Sequence, residues 1–279
     1  MVASSASAES RSIPCFWKAD LAALLFVGIF EVILLSIARH FLPAAISDDD
    51  YARVVIAQEF VHHPQLDPSG TSWLPLPFIA TGLWLKVTEA TLLQARYFAI
   101  ITAVFSAWLI YGAARHLLGP SLAAMNAINK NQLARLRAWL PIIPSAAALT
   151  LKECLQLSLA TVPEFLTAAL LVYAASLLTR PSPGRSLIAA ICVFAATLSR
   201  YEPWPFAIGF VVALAILPLV DLSDRREASH DNPIPQTLDW HGRLRRGRNY
   251  LPAALLCCLG PLLWLLHGHL HHGDAFFFL

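Results

Sequence analysis

Apolar residues run along this chain in long blocks, and a block of about 20 is what a helix needs to cross a bilayer. The blocks are Ala19 to Leu42, Trp73 to Lys86, Ala95 to Leu117, Leu155 to Leu178, Leu187 to Leu198, Trp204 to Val220 and Tyr250 to His267. Several are short, which a bundle tolerates when neighbouring helices or snorkelling side chains cover the ends. The pattern predicts an all-α fold: a polytopic transmembrane bundle of about seven spans.

The polar stretch between the first two blocks has a pattern of its own. Ser47 followed by Asp50 resembles a capping box, and Pro64 marks a stop. Tyr51, Val54, Val55 and Val61 fall near one helical face, with Arg53, Gln58 and Glu59 off it. A short amphipathic helix lying in the membrane interface is expected. Asp48, Asp49 and Asp50 then occupy its first turn, where free backbone N–H groups and the helix dipole favour ionised carboxylates. They either solvate and cap the loop or are held there as proton acceptors or metal ligands.

Composition strengthens the membrane assignment. Apolar residues make up 57% and charged residues 14%, against about 25% charged in ordinary soluble domains, and the mean hydropathy is +0.59. The net charge of +2 comes from short basic clusters between apolar blocks. No continuous basic face exists to hold nucleic acid, so charge reports topology here.

Arg11 and Lys18 precede the first block, Lys86 and Arg96 follow the second, and Arg180 and Arg185 follow the fourth. Arg225, Arg226, Arg243, Arg245, Arg246 and Arg248 precede the last. The positive-inside rule places all four groups in the cytoplasm and the protein in the cytoplasmic membrane as a multi-pass chain. Residues 1–18 become a cytoplasmic N-terminal segment and 19–279 a single transmembrane domain. Loop 43–72, the corner Ser199 to Pro203 and the tail from His267 are then extracytoplasmic; loop 221–249 is cytoplasmic and, by composition, flexible. Arg115, Lys130, Arg135, Arg137 and Lys152 fit only if Trp139 to Leu149 makes a further crossing or a re-entrant turn. The stretch Met125 to Arg137 is markedly more polar than its surroundings.

Of five cysteines, Cys192, Cys257 and Cys258 lie inside apolar blocks and Cys15 and Cys154 at block edges, a distribution without disulfide or metal spacing. They read as small buried residues.

Three segments on the predicted extracytoplasmic side carry a resemblance. The acidic run Asp48-Asp49-Asp50, the following amphipathic helix and the approach Trp73-Leu74-Pro75-Leu76-Pro77-Phe78 resemble the first loop of the GT-C superfamily of polytopic membrane glycosyltransferases. That superfamily includes the protein O-mannosyltransferases and the lipid A aminoarabinose transferases. Arg200-Tyr201-Glu202-Pro203-Trp204 is similar to the R-Y-E-x-W corner of its bacterial members, and Gly273-Asp274-Ala275-Phe276-Phe277-Phe278 to a G-D-x-x-x-F segment after a later span. The resemblance runs from about Ala19 to Leu279, interrupted by Met125 to Glu153. The family's acidic pair is usually Asp followed by Glu, whereas this chain has three aspartates.

The resemblance implies transfer of a sugar from a polyprenyl-phosphate donor to an extracytoplasmic lipid, glycan or protein acceptor, with inversion. Such chemistry needs a carboxylate to deprotonate the attacking hydroxyl and positive charge to stabilise the departing lipid phosphate. Asp49 is the leading general base, with Asp48 and Asp50 as alternates. Arg200 is the candidate phosphate ligand, because a guanidinium grips two phosphate oxygens at once. The competing role for Arg200 is an ion pair with Glu202. Glu202, Tyr201 and Trp73 are candidate substrate contacts; Trp73 equally fits an interfacial aromatic belt. Glu164, an acid early in an apolar block, is a further functional candidate. Glu31 in the first block has no nameable partner.

No cofactor is required by this chemistry. Some family members use a divalent ion, and Asp48 with Asp49 could hold Mg²⁺ or Mn²⁺ through oxygen ligands. The tail histidines His267, His269, His271 and His272 alternate in a way that could align three imidazoles on an extended strand. Two other functional readings stand beside the transferase. One is a truncated, inactive relative; the other is a transporter or lipid-handling membrane protein with charged corners along its path.

Overall fold

The computed structural model describes residues 15–43, 45–123, 130–216 and 247–278. Residues 1–14 and most of the expected cytoplasmic loop 221–249, five of its six arginines included, lie outside the described residues. Among the described residues the fold is wholly helical. Helices α1 (Cys15–Ala38), α4 (Leu92–Ala123) and α11 (Leu251–His272) are long and apolar enough to cross a membrane. The bent pair α7 (Lys152–Leu159) and α8 (Glu164–Leu177) would make a fourth crossing if it acted as one span. Helices α3 (Leu76–Val87), α9 (Pro183–Thr197) and α10 (Pro203–Ile216) are apolar but shorter.

The bundle has two chemically distinct ends. Helices α1 and α4 run antiparallel: Asp20 pairs with Arg115 at 2.8 Å, and Trp108 donates its indole N–H to Leu24 O at 3.0 Å. This is the basic end, since Arg180 and Arg185 join Arg115 around one cavity there. Leu92 starts α4 about 35 Å away along the axis at 1.5 Å per residue. At that other, acidic end stand the first turn of α2 (Asp48–His62), the start of α8 and the corner between α9 and α10.

Two expected spans are corrected. Trp73 to Lys86 does not recross. Its helix α3 has only 12 residues, about 18 Å of rise, and packs along α2 and the first turns of α4, where Leu85 and Ala95 share a cluster with Val54 and Ala57. Gly82 permits the close approach of α2 and α3, because a Cβ there would meet Phe60 Cδ1 at 2.5 Å and Ala57 O at 3.1 Å. Lys86 and Arg96 consequently sit at the turn between α3 and α4, away from the basic end.

Leu155 to Leu178 is not one helix either. It bends by 120° between α7 and α8, where Pro163 has no N–H to continue the ladder and forces the residue before it away from helical angles. The chain returns from the basic end through α5 (Lys130–Trp139), α6 (Ile142–Leu149) and α7. Tyr111 O–H donates to Ala138 O at 2.9 Å at the start of that climb, and Thr161 meets Asp50 at its end. Around Trp139 to Leu149, where the sequence allows a further crossing or a re-entrant turn, the chain forms three short helices, α5 to α7, and Arg115 and Arg137 line one cavity with Arg180 and Arg185.

Small residues let the remaining helices pack closely. Ala169, Ala174, Ala189, Ala190, Ala196 and Ala253 are all buried in the core of α8 to α11, and Gly260 of α11 faces Thr197, whose Oγ1 would lie 2.2 Å from an added Cβ. Close approach of this kind supplies van der Waals contact where lipid removes the hydrophobic drive between helices.

Candidate functional site

Helix α2 begins where Ser47 and Asp50 predict. The Asp50 carboxylate reaches back to accept from the backbone N–H groups of Ile46 at 2.7 Å and Ser47 at 3.1 Å. Its other oxygen accepts from Thr161 N–H at 2.9 Å, and Thr161 O–H donates to Asp50 O at 2.8 Å. Asp50 is thus a buried fastener between α2 and the break before α8. Asp48 is exposed, whereas Asp49, also exposed, lines an open cavity of about 600 Å³.

That cavity gathers Asp49, Arg53, Trp73, Arg200, Tyr201 and Glu202. Residues from all three family-like segments meet on it, Phe276 and Phe278 completing one wall. Arg200 holds two carboxylates. Its Nε donates to Glu202 Oε2 at 3.0 Å, its second terminal nitrogen to Glu202 Oε1, and its first to Glu164 Oε1. Hydrogen bonding from Arg200 holds the Glu202 carboxyl down to about 2, and the same contact raises the guanidinium. Burial pushes the Tyr201 phenol up to about 12; its oxygen accepts from Trp264 Nε1 at 2.9 Å.

Arg53 was not a sequence candidate. It was assigned to the polar edge of α2, but α2 turns Asp50, Arg53, Val54, Ala57 and Phe60 inward and leaves Tyr51 and Val55 exposed. The guanidinium lies 4.6 Å from the Trp73 ring centroid and 5.7 Å from that of Phe78, within cation–π range. Its Nε is buried without a partner among the described residues. Burial lowers its pKa, with Glu164 the largest opposing influence. The signal in the sequence is the spacing Asp50, Val54, Ala57 and Phe60, whose arc includes residue 53.

The C-terminal end differs from the expected strand. Helix α11 continues to His272, and Gly273 ends it in the left-handed region at φ 72°. The chain then folds back so that Phe278 stacks on Tyr201 at 4.5 Å and Phe277 on His272 at 4.0 Å. On a helix His267 and His271 stay neighbours, their ring centroids 4.5 Å apart, while His269 is turned to another face. His267 and His272 instead each bring Nε2 within 4.0 Å of Asp67 Oδ2. These three could hold a metal ion, their ligand atoms lying within 4.8 Å of one another. Asp67 is positioned by Ser69 O–H and Gly70 N–H, both donating to Oδ1 at 3.1 Å. Asp48 and Asp49 form no such group, and Glu31, fully buried in α1, does not line the cavity.

No family model, no curated protein and no solved structure matches the chain.

Proposed function

We propose that this chain is a GT-C-type membrane glycosyltransferase, transferring a sugar with inversion from a polyprenyl-phosphate donor to an acceptor hydroxyl on the extracytoplasmic side. The observation that carries the reading is the convergence of Asp49, Arg53, Arg200, Tyr201 and Glu202 on one open cavity. The reading takes the bundle as multi-pass in the cytoplasmic membrane, with the basic end inside by the positive-inside rule. It takes α1, α4, α8, α9, α10 and α11 as the apolar helical segments, with α5 to α7 carrying the chain from α4 to α8.

In this mechanism Asp49 accepts the proton of the attacking hydroxyl. Exposed in the first turn of α2, its carboxylate is within reach of an entering acceptor. The departing phosphate needs cations, and here the arrangement is more particular than a free arginine. Arg200 is already held by Glu164 and Glu202. The Glu202 side chain is 67% exposed, so its pairing is worth at most about 1 kcal/mol and yields to the donor's phosphodiester, whose one negative charge becomes two as the sugar leaves. Glu202 thus occupies the phosphate position in the empty cavity and swings aside when the donor binds. Arg53, stacked beneath Trp73, supplies the second cation. Trp73 and Tyr201 offer flat faces to the sugar ring.

The acceptor is a lipid, a glycan or a protein. A divalent ion is optional in this chemistry, and the residues suited to one are Asp67, His267 and His272. One carboxylate and two imidazoles match Zn²⁺ better than the Mg²⁺ or Mn²⁺ expected of an all-oxygen pair.

Asp49→Asn tests the proposal. Removing a general base lowers turnover by about 10² to 10⁴-fold, so transfer from a polyprenyl-phosphate hexose should collapse while membrane insertion and melting temperature stay at wild-type values. Transfer at the wild-type rate removes Asp49 from the mechanism. Absence of transfer by the wild-type protein from any polyprenyl-phosphate sugar removes the mechanism itself.

A further inference from the structure

The basic end holds a second cavity, of about 510 Å³, that the proposed chemistry does not use. Its cationic lining comes from Arg115, His116, Arg137, Arg180 and Arg185, carried by α4, α5, the loop after α8 and α9. Against four guanidiniums the described residues set one carboxylate, Asp20, which pairs with Arg115 at 2.8 Å. Arg185 donates a terminal N–H to Arg180 O at 3.2 Å, bracing the loop. Arg137 Nε and Arg180 Nε are buried and have no partner among the described residues. A buried donor left unpaired costs about 1 to 3 kcal/mol, so the two arginines keep hydrogen-bonding capacity unspent beside a cavity that four guanidinium side chains line.

The walls show what kind of acceptor. Tyr111, Tyr173 and Trp108 line the cavity, and each is fixed. Tyr111 is bonded to the carbonyl of Ala138, the residue after Arg137, and Trp108 to Leu24 O. Tyr173 packs into space that Gly112 leaves open, since a Cβ there would meet Tyr173 Cε2 at 2.8 Å. Converging guanidiniums on a rigid frame match the bidentate geometry of phosphate oxygens. Leu24 and Trp108 carry the lining to the outer surface, where Trp108 and the neighbouring Leu21 and Leu25 of α1 are exposed. A phosphate head in the cavity would therefore have an apolar flank beside it for acyl chains.

We propose that this cavity binds a phosphate group, and that the group is the headgroup of an anionic phospholipid rather than free phosphate. Basic pockets between helices at a membrane's cytoplasmic face recognise lipid headgroups in this way. The reading is independent of the transferase assignment.

The test uses the full chain in detergent, titrated with phosphatidylglycerol or with phosphatidylcholine of the same acyl chains and read by native mass spectrometry. Retention of phosphatidylglycerol should exceed that of phosphatidylcholine by about tenfold. Arg137→Gln with Arg180→Gln should bring the ratio close to one, while Arg39→Gln, on the exposed end of α1, leaves it unchanged. If the double Gln variant does not elute as a single species, Arg137→Lys with Arg180→Lys decides: it keeps charge but loses the fork, and the ratio should fall at least threefold. A parallel titration with inorganic phosphate separates the sources. An Arg137- and Arg180-dependent rise in melting temperature with phosphate, without preference between the lipids, keeps the phosphate site and overturns the lipid assignment. Equal retention of both lipids with no phosphate effect, or a preference that survives in both arginine double variants, overturns the site.

Discussion

The two ends of the bundle use arginine in opposite ways. At the acidic end, Arg200 is gripped by two carboxylates and Arg53 is pressed against aromatic rings. At the basic end, four arginines stand with one paired aspartate among the described residues. The first arrangement holds its counter-charge within the protein, which the proposed mechanism exchanges for the donor's phosphate. The second lacks counter-charge among the described residues and needs it from outside. Arginine number therefore says little about function; the position of the nearest carboxylate says more.

Replacing Arg200 breaks this comparison at its strongest point. Arg200→Ala leaves Glu164 beside the start of α8 with no partner and removes one of two cations from the cavity. Charge-assisted pairs of this kind are worth about 1.5 to 3 kcal/mol, so kcat/KM for the lipid-phosphate donor should fall about 10 to 10²-fold. A short soluble acceptor should be affected less. Equal losses for donor and acceptor would assign Arg200 a purely architectural role. Arg180→Gln, at the other end, should leave transfer untouched.

The next effect is on packing beneath the acidic end. Gly82→Ala forces Phe60 and the α2 backbone away from α3, and overpacking of this sort costs about 1 to 3 kcal/mol. Thermal unfolding should move down accordingly. Because Arg53 rides on the same face of α2, the donor's KM should rise with it. Gly112→Ala, the equivalent insertion against Tyr173 at the basic end, should lower stability by a similar amount without changing the donor's KM. A KM change in both variants would mean that the ends are mechanically coupled.

Asp50 offers a smaller and more local test. Asp50→Ala removes the carboxylate that caps Ile46 and Ser47 and accepts from Thr161 N–H, leaving the Thr161 hydroxyl on Asp50 O, and lost caps cost about 0.5 to 2 kcal/mol. Thr161→Val removes the hydroxyl's bond alone, keeping the backbone N–H on Asp50 Oδ1, and should cost less. If Thr161→Val matches Asp50→Ala, the carboxylate's bonds add no more than the single hydroxyl bond does.

Much of the acidic end was legible in the sequence, because its signals are local. Ser47, Asp50 and Pro64 bound α2 to within two residues, and Asp49, Trp73, Arg200, Tyr201 and Glu202 were all singled out beforehand. The three aspartates differ in role only through what faces them, and Thr161, 111 residues away, is invisible to spacing. Topology was less legible. The block Trp73 to Lys86 reads as a span because lipid-facing and helix-facing apolar residues read alike. The path from Lys130 to Leu159 is hard to place by pattern because Pro141 and Pro144 sit within it and Lys130, Arg135, Arg137 and Lys152 interrupt it. The histidine set was missed for a related reason: His267 and His272 point to a common partner only on a helix, and that partner, Asp67, lies about 200 residues earlier in the chain.

Acid titration sharpens the comparison with the least perturbation. Glu202 is held down to about 2 by Arg200, against an ordinary value near 4.3. A depressed carboxyl contributes stability that is complete above its unfolded-state pKa and disappears as pH falls through the folded one. The contribution of Glu202 should therefore be intact above about pH 4.5 and lost on the way down to about pH 2. The side chain is exposed, so the slope it adds to melting temperature across that window is small, and Glu202→Gln should flatten it without changing stability at pH 7 by more than about 1 kcal/mol. If instead Glu202→Gln strongly destabilises the protein at pH 7, the carboxylate is a structural anchor for Arg200. It could not then step aside for a phosphate, and the acidic end would be as fixed as the wall of Tyr111, Tyr173 and Trp108 opposite.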